Sequence, residues 1–367
     1  MEVGFCMLRF VFGQLLKFVF LMIAVSIVAF VLVSLSPIDP VQANVGQVAY
    51  LNMGEAKRAQ LAEYWGANTP LWDRYIHWLT SALQGDLGMS LRFNEPVTQV
   101  IAIRFANSAA LMATAWVLSG VIGLVLGILA ALKRDSWIDR LIKSYCFLLA
   151  STPGFWLALV FLIIFAVWLR VLPLGFSVPV GVSSSDVTFF DMLSHLVLPA
   201  LTLSLLGVAN IAMHTREKTI DVLQSEYVRF ARIRGESTRS IIIRHGLRNL
   251  ALPALTLQFA SINEIFGGSV LVEQVFSYPG LGQAAVTAGL GGDVALLVGI
   301  SLISAAVVFT GNLIANLLYR AIDPRLRTGS GRQLPDEPMG LVGSGGSGDT
   351  EDVEALEELE DRSISHA

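Results

Sequence analysis

Charge is scarce in this chain. Only 15% of its 367 residues are Asp, Glu, Lys or Arg, and 54% are hydrophobic, against roughly 25% and 45–50% in soluble domains. Mean hydropathy is +0.64. A water-soluble fold has no interior large enough for that much apolar surface, which excludes a soluble enzyme and leaves an integral membrane protein. Cysteine is almost missing: Cys6 and Cys146 provide neither a disulfide framework nor a metal site. The histidines (His77, His195, His214, His245 and His366) are never spaced i, i+4 around a carboxylate, so no zinc motif occurs. No Lys follows a Gly anywhere, so a phosphate-cradling P-loop is missing too. If ATP drives this protein, another polypeptide binds the nucleotide. No nucleic-acid partner is expected.

What the chain does have is long apolar runs. Crossing about 30 Å of hydrocarbon takes roughly 20 residues of helix. Four runs qualify without interruption: Phe18–Ile38, Phe105–Leu132, Ser144–Leu169 and Val294–Tyr319. A fifth, Met192–Met213, carries only His195, and a sixth, Leu250–Val272, is interrupted by Glu264. The expectation is an all-α polytopic bundle of six transmembrane helices. Pro153 and Pro199 fall inside spans, where a lost hydrogen bond kinks a helix. Gly120, Gly123 and Gly127 mark a small-residue face suited to close helix packing. The first run is too long for a cleaved signal peptide, and no small-x-small site precedes the Pro37-Ile38-Asp39-Pro40 turn.

The net charge of −4 hides an asymmetry. From Gly329 onward ten acidic residues face only Arg332 and Arg362, a net −8; residues 1–328 keep 23 bases and 19 acids, a net +4. With a cytoplasmic N-terminus, nineteen Lys and Arg lie inside and six outside (Lys57, Arg58, Arg74, Arg92, Arg104 and Arg170). That bias puts both termini in the cytoplasm. The chain then divides into an N-terminus with the first span (1–35), an extracytoplasmic region (36–104), a five-helix core (105–328) with a cytoplasmic loop at 215–249, and a tail (329–367). Trp65, Trp72, Tyr75 and Trp78 in the outer region suit an interfacial aromatic belt better than a partner surface. The tail pairs a Gly/Ser block (Gly343–Gly348) with an acidic run, a composition expected to be disordered. Val353, Leu356 and Leu359 would give it one amphipathic turn at most.

The loop between the fourth and fifth spans carries the most information. Leu223, Tyr227, Phe230 and Ala231 recur at helical spacing, with Arg229 and Arg232 off that stripe and Gly235 placed to end the helix. Such a helix rests on anionic lipid, or fills a groove on a cytosolic subunit. Periodicity leaves both open.

From about residue 8 to residue 328 the sequence resembles the inner-membrane permease subunits of binding-protein-dependent ABC importers. The branch is the dipeptide/oligopeptide/nickel one, and the likeness is closest to the first of its two permease types. The branch's loop reads roughly Tyr-Val-Arg-x-Ala-Arg-x-Lys-Gly, then Arg-His-x-Leu-Arg-Asn. This chain has Tyr227-Val228-Arg229-Phe230-Ala231-Arg232-Ile233-Arg234-Gly235, then Arg244-His245-Gly246-Leu247-Arg248-Asn249. Glu273 to Gly282, Ile322 to Arg327, Gly85-Asp86-Leu87-Gly88 and Ser136-Trp137-Ile138-Asp139-Arg140 also resemble family segments, in order. Of the wider Glu-Ala-Ala-x-x-x-Gly pattern only Ala231 and Gly235 remain, Ile38 replaces a turn glycine, and Asn263-Glu264 stand where apolar or small residues are usual.

The resemblance implies an ABC importer permease in a bacterial inner membrane, with no catalytic residue, metal site or cofactor of its own. ATP and Mg would be bound by one or two cytosolic ABC ATPases. A second homologous permease, an extracytoplasmic solute-binding protein and membrane lipid would complete the assembly. Peptides, nickel, metal chelates or opine-like solutes would be carried. The ATPase-coupling residues would be Glu226, Tyr227, Arg229, Phe230, Ala231, Arg232, Gly235, His245, Arg248 and Asn249. Asn263 and Glu264 are candidates for the translocation cavity. An intramembrane carboxyl is costly unless it meets water or a partner such as Asn263, Asn312 or Asn316. The competing function is a proton-coupled secondary transporter using Glu264, although no internal repeat supports it.

Overall fold

The computed structural model describes residues 2–35, 50–64, 70–179, 181, 186–241, 255 and 257–322, with side chains except at 2–11, 61–64, 238–239, 316 and 318–322. The compact unit ends at Ile322, so the acidic tail lies outside the described residues. In chain order the helices are α1 (Glu2–Ser34), α2 (Glu55–Tyr64), α3 (Leu71–Leu83), α4 (Val97–Leu132), α5 (Trp137–Ser151), α6 (Gly154–Phe161), α7 (Phe189–Gln224), α8 (Glu226–Ile233), α9 (Thr238–Ile241), α10 (Ile262–Val275), α11 (Leu281–Leu290) and α12 (Val294–Ile322). A π-helical segment, Leu162–Trp168, continues α6. Among the described residues the extended pairing is one isolated bridge, Met89 with Pro96.

Four described helices are long and apolar enough to cross a membrane: Phe12–Ser34, Val97–Leu132, Phe189–Gln224 and Val294–Ala315. The expected span Ser144–Leu169 is not one straight helix. It begins in the second half of α5 and continues, across a 109° bend, into α6 and its π segment. Thr152 preceding Pro153 is extended (ψ 127°), and Pro153 starts a new helix rather than kinking an old one. Pro199 behaves differently: α7 runs through it unbroken. The expected span Leu250–Val272 lies partly outside the described residues, and its described part is helical from 257 to 260 and again in α10.

Local chemistry sets the starts. Thr188 and Asp191 form a reciprocal capping box at α7 (Asp191 N–H to Thr188 Oγ1 3.2 Å, Thr188 N–H to Asp191 Oδ2 2.9 Å). Ser136 accepts from the Asp139 N–H at α5, and Asp293 from the Leu296 N–H at α12.

The pairing of α4 with α7 is the spine. On α4 the inward positions are small (Ala115, Ser119, Gly123, Gly127), while Val117, Val121 and Val125 face outward. That reverses the soluble arrangement of bulk inside, and it lets two membrane helices approach closely. A Cβ on Gly127 would lie 2.5 Å from the Ala212 carbonyl oxygen and 2.6 Å from Thr215 Cβ on α7. Gly127→Ala should therefore cost about 1–3 kcal/mol through overpacking. A drop in the detergent melting temperature checks this; an unchanged value would mean the spine is looser than described. Around the spine, α10 adds Ile265 and Val272 to a core with Leu111, Leu198 and Leu203. Helix α5 packs Cys146 and Leu149 against Ala209 and Ala212, and α1 lies along α12, with Phe18 and Phe309 ring centroids 5.0 Å apart. His195 is a core histidine whose Nδ1 lies 2.6 Å from the Gly175 carbonyl oxygen.

The outer aromatic cluster divides. Tyr75 is buried against Phe30 of α1 and bonds Ser26 (2.9 Å), and Trp78 donates to the Leu87 carbonyl (3.3 Å). Trp72 alone stands largely exposed, and Trp65 lies outside the described residues.

Candidate functional site

Helix α7 has 36 residues, about 54 Å at 1.5 Å per residue, well beyond a 30 Å hydrocarbon layer. Its last turns therefore project past the apolar spine and deliver the chain to α8. At Ser225 the backbone turns extended (ψ 151°), which breaks the helix, and α8 restarts at Glu226. It ends where Gly235 takes φ +82°. The Gly235 N–H donates to the Arg232 carbonyl (2.9 Å) and the Glu236 N–H to the Ala231 carbonyl (3.1 Å), a Schellman closure that a glycine permits. The role expected of Gly235 as a helix stop rests on that geometry.

The apolar stripe is arranged differently from the sequence reading. Val228 and Ala231, three residues apart, are buried against Val222 and Ile241. Tyr227 (42% exposed), Phe230 (67%) and Ile233 (82%) form a separate outward face. The break at Ser225 resets the helical phase, so Leu223 is not in register with α8, and Ala231 belongs to the inner face. Arg229 pairs loosely with Glu226 (3.3 Å) and Arg234 with Glu236 (3.0 Å). Arg232 is exposed on the same short helix. His245, Arg248 and Asn249 lie outside the described residues.

Near the end of α7 stands a buried ion pair that sequence reading had passed over. Arg216 donates twice to Asp139 on α5 (Nε to Oδ1 and Nη2 to Oδ2, both 2.7 Å), with Lys143 at 3.5 Å and the Asp135 N–H at 3.0 Å. Asp139 precedes the apolar run that starts at Ser144. The hydrogen bonds from Arg216 lower its carboxyl to about 2, burial opposing them and the Asp135 N–H assisting. The folded value is thus below the unfolded value of about 4, so this stabilisation is complete above pH 4 and is lost as pH falls through 2. The melting-temperature gap between wild type and Asp139→Asn should be constant from pH 7 to 5 and close toward pH 2. A gap that widens on acidification would contradict the assignment.

Asn263 and Glu264 open α10, and both are exposed. Asn263 Nδ2 donates to Asn312 Oδ1 of α12 (3.0 Å). It is Asn263, not Glu264, that takes the asparagine partner; no described residue bonds the Glu264 carboxyl. The Asn316 side chain lies outside the described residues. The neighbours Ile262 and Gly311 line an apolar groove of about 600 Å³ that also includes Ile101, Phe105, Ile303 and Val307.

A second heavily bonded carboxylate is Glu273, fully buried at the end of α10. It accepts from Ser108 Oγ (2.6 Å) and from the Gly282 and Gln283 N–H groups (2.7 and 3.1 Å). Ser108 in turn accepts from the Leu281 N–H (2.7 Å), Asn107 donates to the Pro279 carbonyl (2.9 Å), and Arg104 to Gln283 Oε1 (2.9 Å). Three consecutive α4 polar positions thus hold the turn from Tyr278 to Gln283. Asp293 does similar work before α12, accepting from Ser90 Oγ (2.6 Å) and the Arg92 N–H (3.1 Å). No periodicity marked these acids as a site. The signal was available: an acid flanking an apolar run, with no base nearby in sequence, needs distant donors.

Helices of this length, with small residues facing inward and an amphipathic helix projecting beyond them, define a polytopic membrane protein. The chain belongs to the binding-protein-dependent transport system inner membrane components, whose family model matches residues 123–328, with the N-terminal model of the same systems matching residues 7–112. It is 33% identical over 87% of its length, and 99% of the relative's, to the oligopeptide transport system permease protein AppB of Bacillus subtilis. To a putative peptide permease protein of Brucella suis it is 36% identical (88% and 99% covered). To the glutathione transport system permease protein GsiC of Escherichia coli it is 33% identical (88% and 99%). The inward-facing MetNI methionine ABC transporter superposes with TM-score 0.46 at 15% identity, over 60% of this chain and 97% of that one. The protein is accordingly a permease subunit of an ABC importer in a bacterial inner membrane, from a family of non-catalytic subunits that work with an ATPase and a binding protein.

Proposed function

We propose that this permease forms half of a pathway for importing peptides. It crosses the membrane six times, with both termini cytoplasmic and the region 36–104 outside. The observation that carries the reading is the exposed face of Tyr227, Phe230 and Ile233, on a short helix after α7 whose Arg229 and Arg232, with Arg234 at its end, are exposed too. A lipid surface would take the arginines, but an aromatic pair on a helix closed by its own glycine fits a protein groove better. In this reading the loop 215–249, including Glu226, Ala231, Gly235, His245, Arg248 and Asn249, seats a cytosolic ATPase, of which the importer has one or two. ATP and Mg are bound there, and this chain needs no cofactor. A second homologous permease completes the pathway, and a solute-binding protein delivers cargo from outside. The tail, 329–367, is dispensable for transport.

Peptides are favoured over nickel because the relatives' names are oligopeptide, peptide and glutathione permeases. The test is uptake of labelled di- to pentapeptides by cells with and without the gene, alongside radioactive nickel. Peptide uptake lost with the gene supports the proposal; loss of nickel uptake alone overturns it.

Asn263 and Glu264 are placed in the cavity in this reading, where a carboxylate with no partner among the described residues favours cationic or amine-bearing solutes. Glu264→Gln keeps size while removing charge. Uptake of lysine-rich peptides should slow several-fold with neutral peptides unaffected. Equal rates for both classes would remove Glu264 from the cavity.

A further inference from the structure

Three candidates stand outside the reading above: the Glu273 turn, the apolar groove between α4 and α12, and the Asp139–Arg216 pair. The first holds a turn to its own neighbours, and nothing in the structure indicates what would fill the second. The third joins two elements that have separate jobs.

Arg216 lies ten residues before α8, on the same unbroken helix that leads to it. Between Arg216 and Ser225 there is no hinge to absorb motion. Asp139 lies in the first turn of α5, whose far end is the 109° corner at Thr152–Pro153. The contact between the two is bidentate and fully buried on the Asp side, and Asp139 also fastens the α4–α5 turn through the Asp135 N–H. A fork of this kind fixes direction as well as distance, which a lysine does not. Apolar packing alone (Cys146 and Leu149 on Ala209 and Ala212) lets helices slide; a bidentate buried pair does not.

We propose that Asp139 and Arg216 are positioning residues: a brace that makes α5 follow α7 when the partner ATPases move α8, so that nucleotide state reaches the α5–α6 corner. This rests on the coupling role of α8, and the experiment separates the two claims. A spin label is placed at Ser151→Cys, at the corner, in a background with Cys6 and Cys146 replaced by serine. The complete importer is reconstituted and compared without nucleotide and after trapping with ATP and orthovanadate.

With the brace intact, trapping should change the label's spectrum. In Asp139→Asn the ATPases should still bind and hydrolyse ATP, while the corner's response shrinks by about fivefold, the low end of coupling between sites. Arg216→Lys should fall between. An undiminished response in an assembled Asp139→Asn complex overturns the brace. An unresponsive wild type that hydrolyses ATP overturns it too, and absence of any associated ATPase instead overturns the coupling role of α8. If Asp139→Asn does not assemble, the pair Asp139→Cys/Arg216→Cys decides. Joining it with a short bis-maleimide should restore a response that the unlinked protein lacks, and equal responses with and without the link contradict the brace.

Discussion

Phe230→Asp should abolish transport and release the ATPases, while leaving the permease folded. Phe230 is two-thirds exposed and lies outside the described cluster that packs α8, in which Val228 and Ala231 sit against Val222 and Ile241. Burying a phenylalanine side chain against a partner contributes about 1.5–3 kcal/mol, and an unpaired carboxylate in the same groove is unfavourable by more. Association should therefore weaken by at least roughly tenfold. Copurification of ATPase with the mutant, measured beside its melting temperature, checks this. Val228→Asp is the useful contrast, since it should lower stability as well. If Phe230→Asp retains both its ATPases and its transport, α8 is a lipid-surface helix.

The second large effect is expected at Glu273. Replacing it with Ala strands the buried Gly282 N–H and the half-buried Gln283 N–H, and frees the buried Ser108 hydroxyl. At about 1–3 kcal/mol for each orphaned donor, the loss should reach roughly 3–5 kcal/mol. Glu273→Gln should be milder. Its amide oxygen still accepts from the two backbone groups, and its NH₂ faces Ser108 Oγ. Thermal unfolding in detergent should rank wild type above Gln and Gln well above Ala. Ala and Gln melting together would mean the turn is held by packing rather than by the carboxylate.

What the sequence disclosed, and what it did not, follows from the range of each interaction. Gly235 was legible as a helix stop because a positive φ is a local demand. The long apolar runs on α1, α4, α7 and α12 were legible because the bilayer dictates length. The facing of α8 was misread since Ser225 interrupts the helix, and a periodic count carried across a break places residues on the wrong side. Pro153 and Pro199 look equivalent in sequence. Only packing separates them: α7 is clamped along α4 and tolerates its proline, whereas the Thr152–Pro153 junction opens into a 109° corner. Asp139 and Arg216 are 77 residues apart, and Ser108 and Glu273 are 165 apart; no local pattern announces either pair. Glu264 drew notice as an isolated charge, while Glu273, a fully buried acid with three donors, passed as part of a motif.

The most direct measurement is purification of the tagged protein from its own membrane in mild detergent, with its companions identified by mass spectrometry and ATP hydrolysis assayed on the product. A second permease and ABC ATPases should copurify, and vanadate-sensitive hydrolysis should rise when a peptide-loaded binding protein is added to the reconstituted complex. A chain that purifies alone and moves solute in response to a proton gradient would contradict the importer reading.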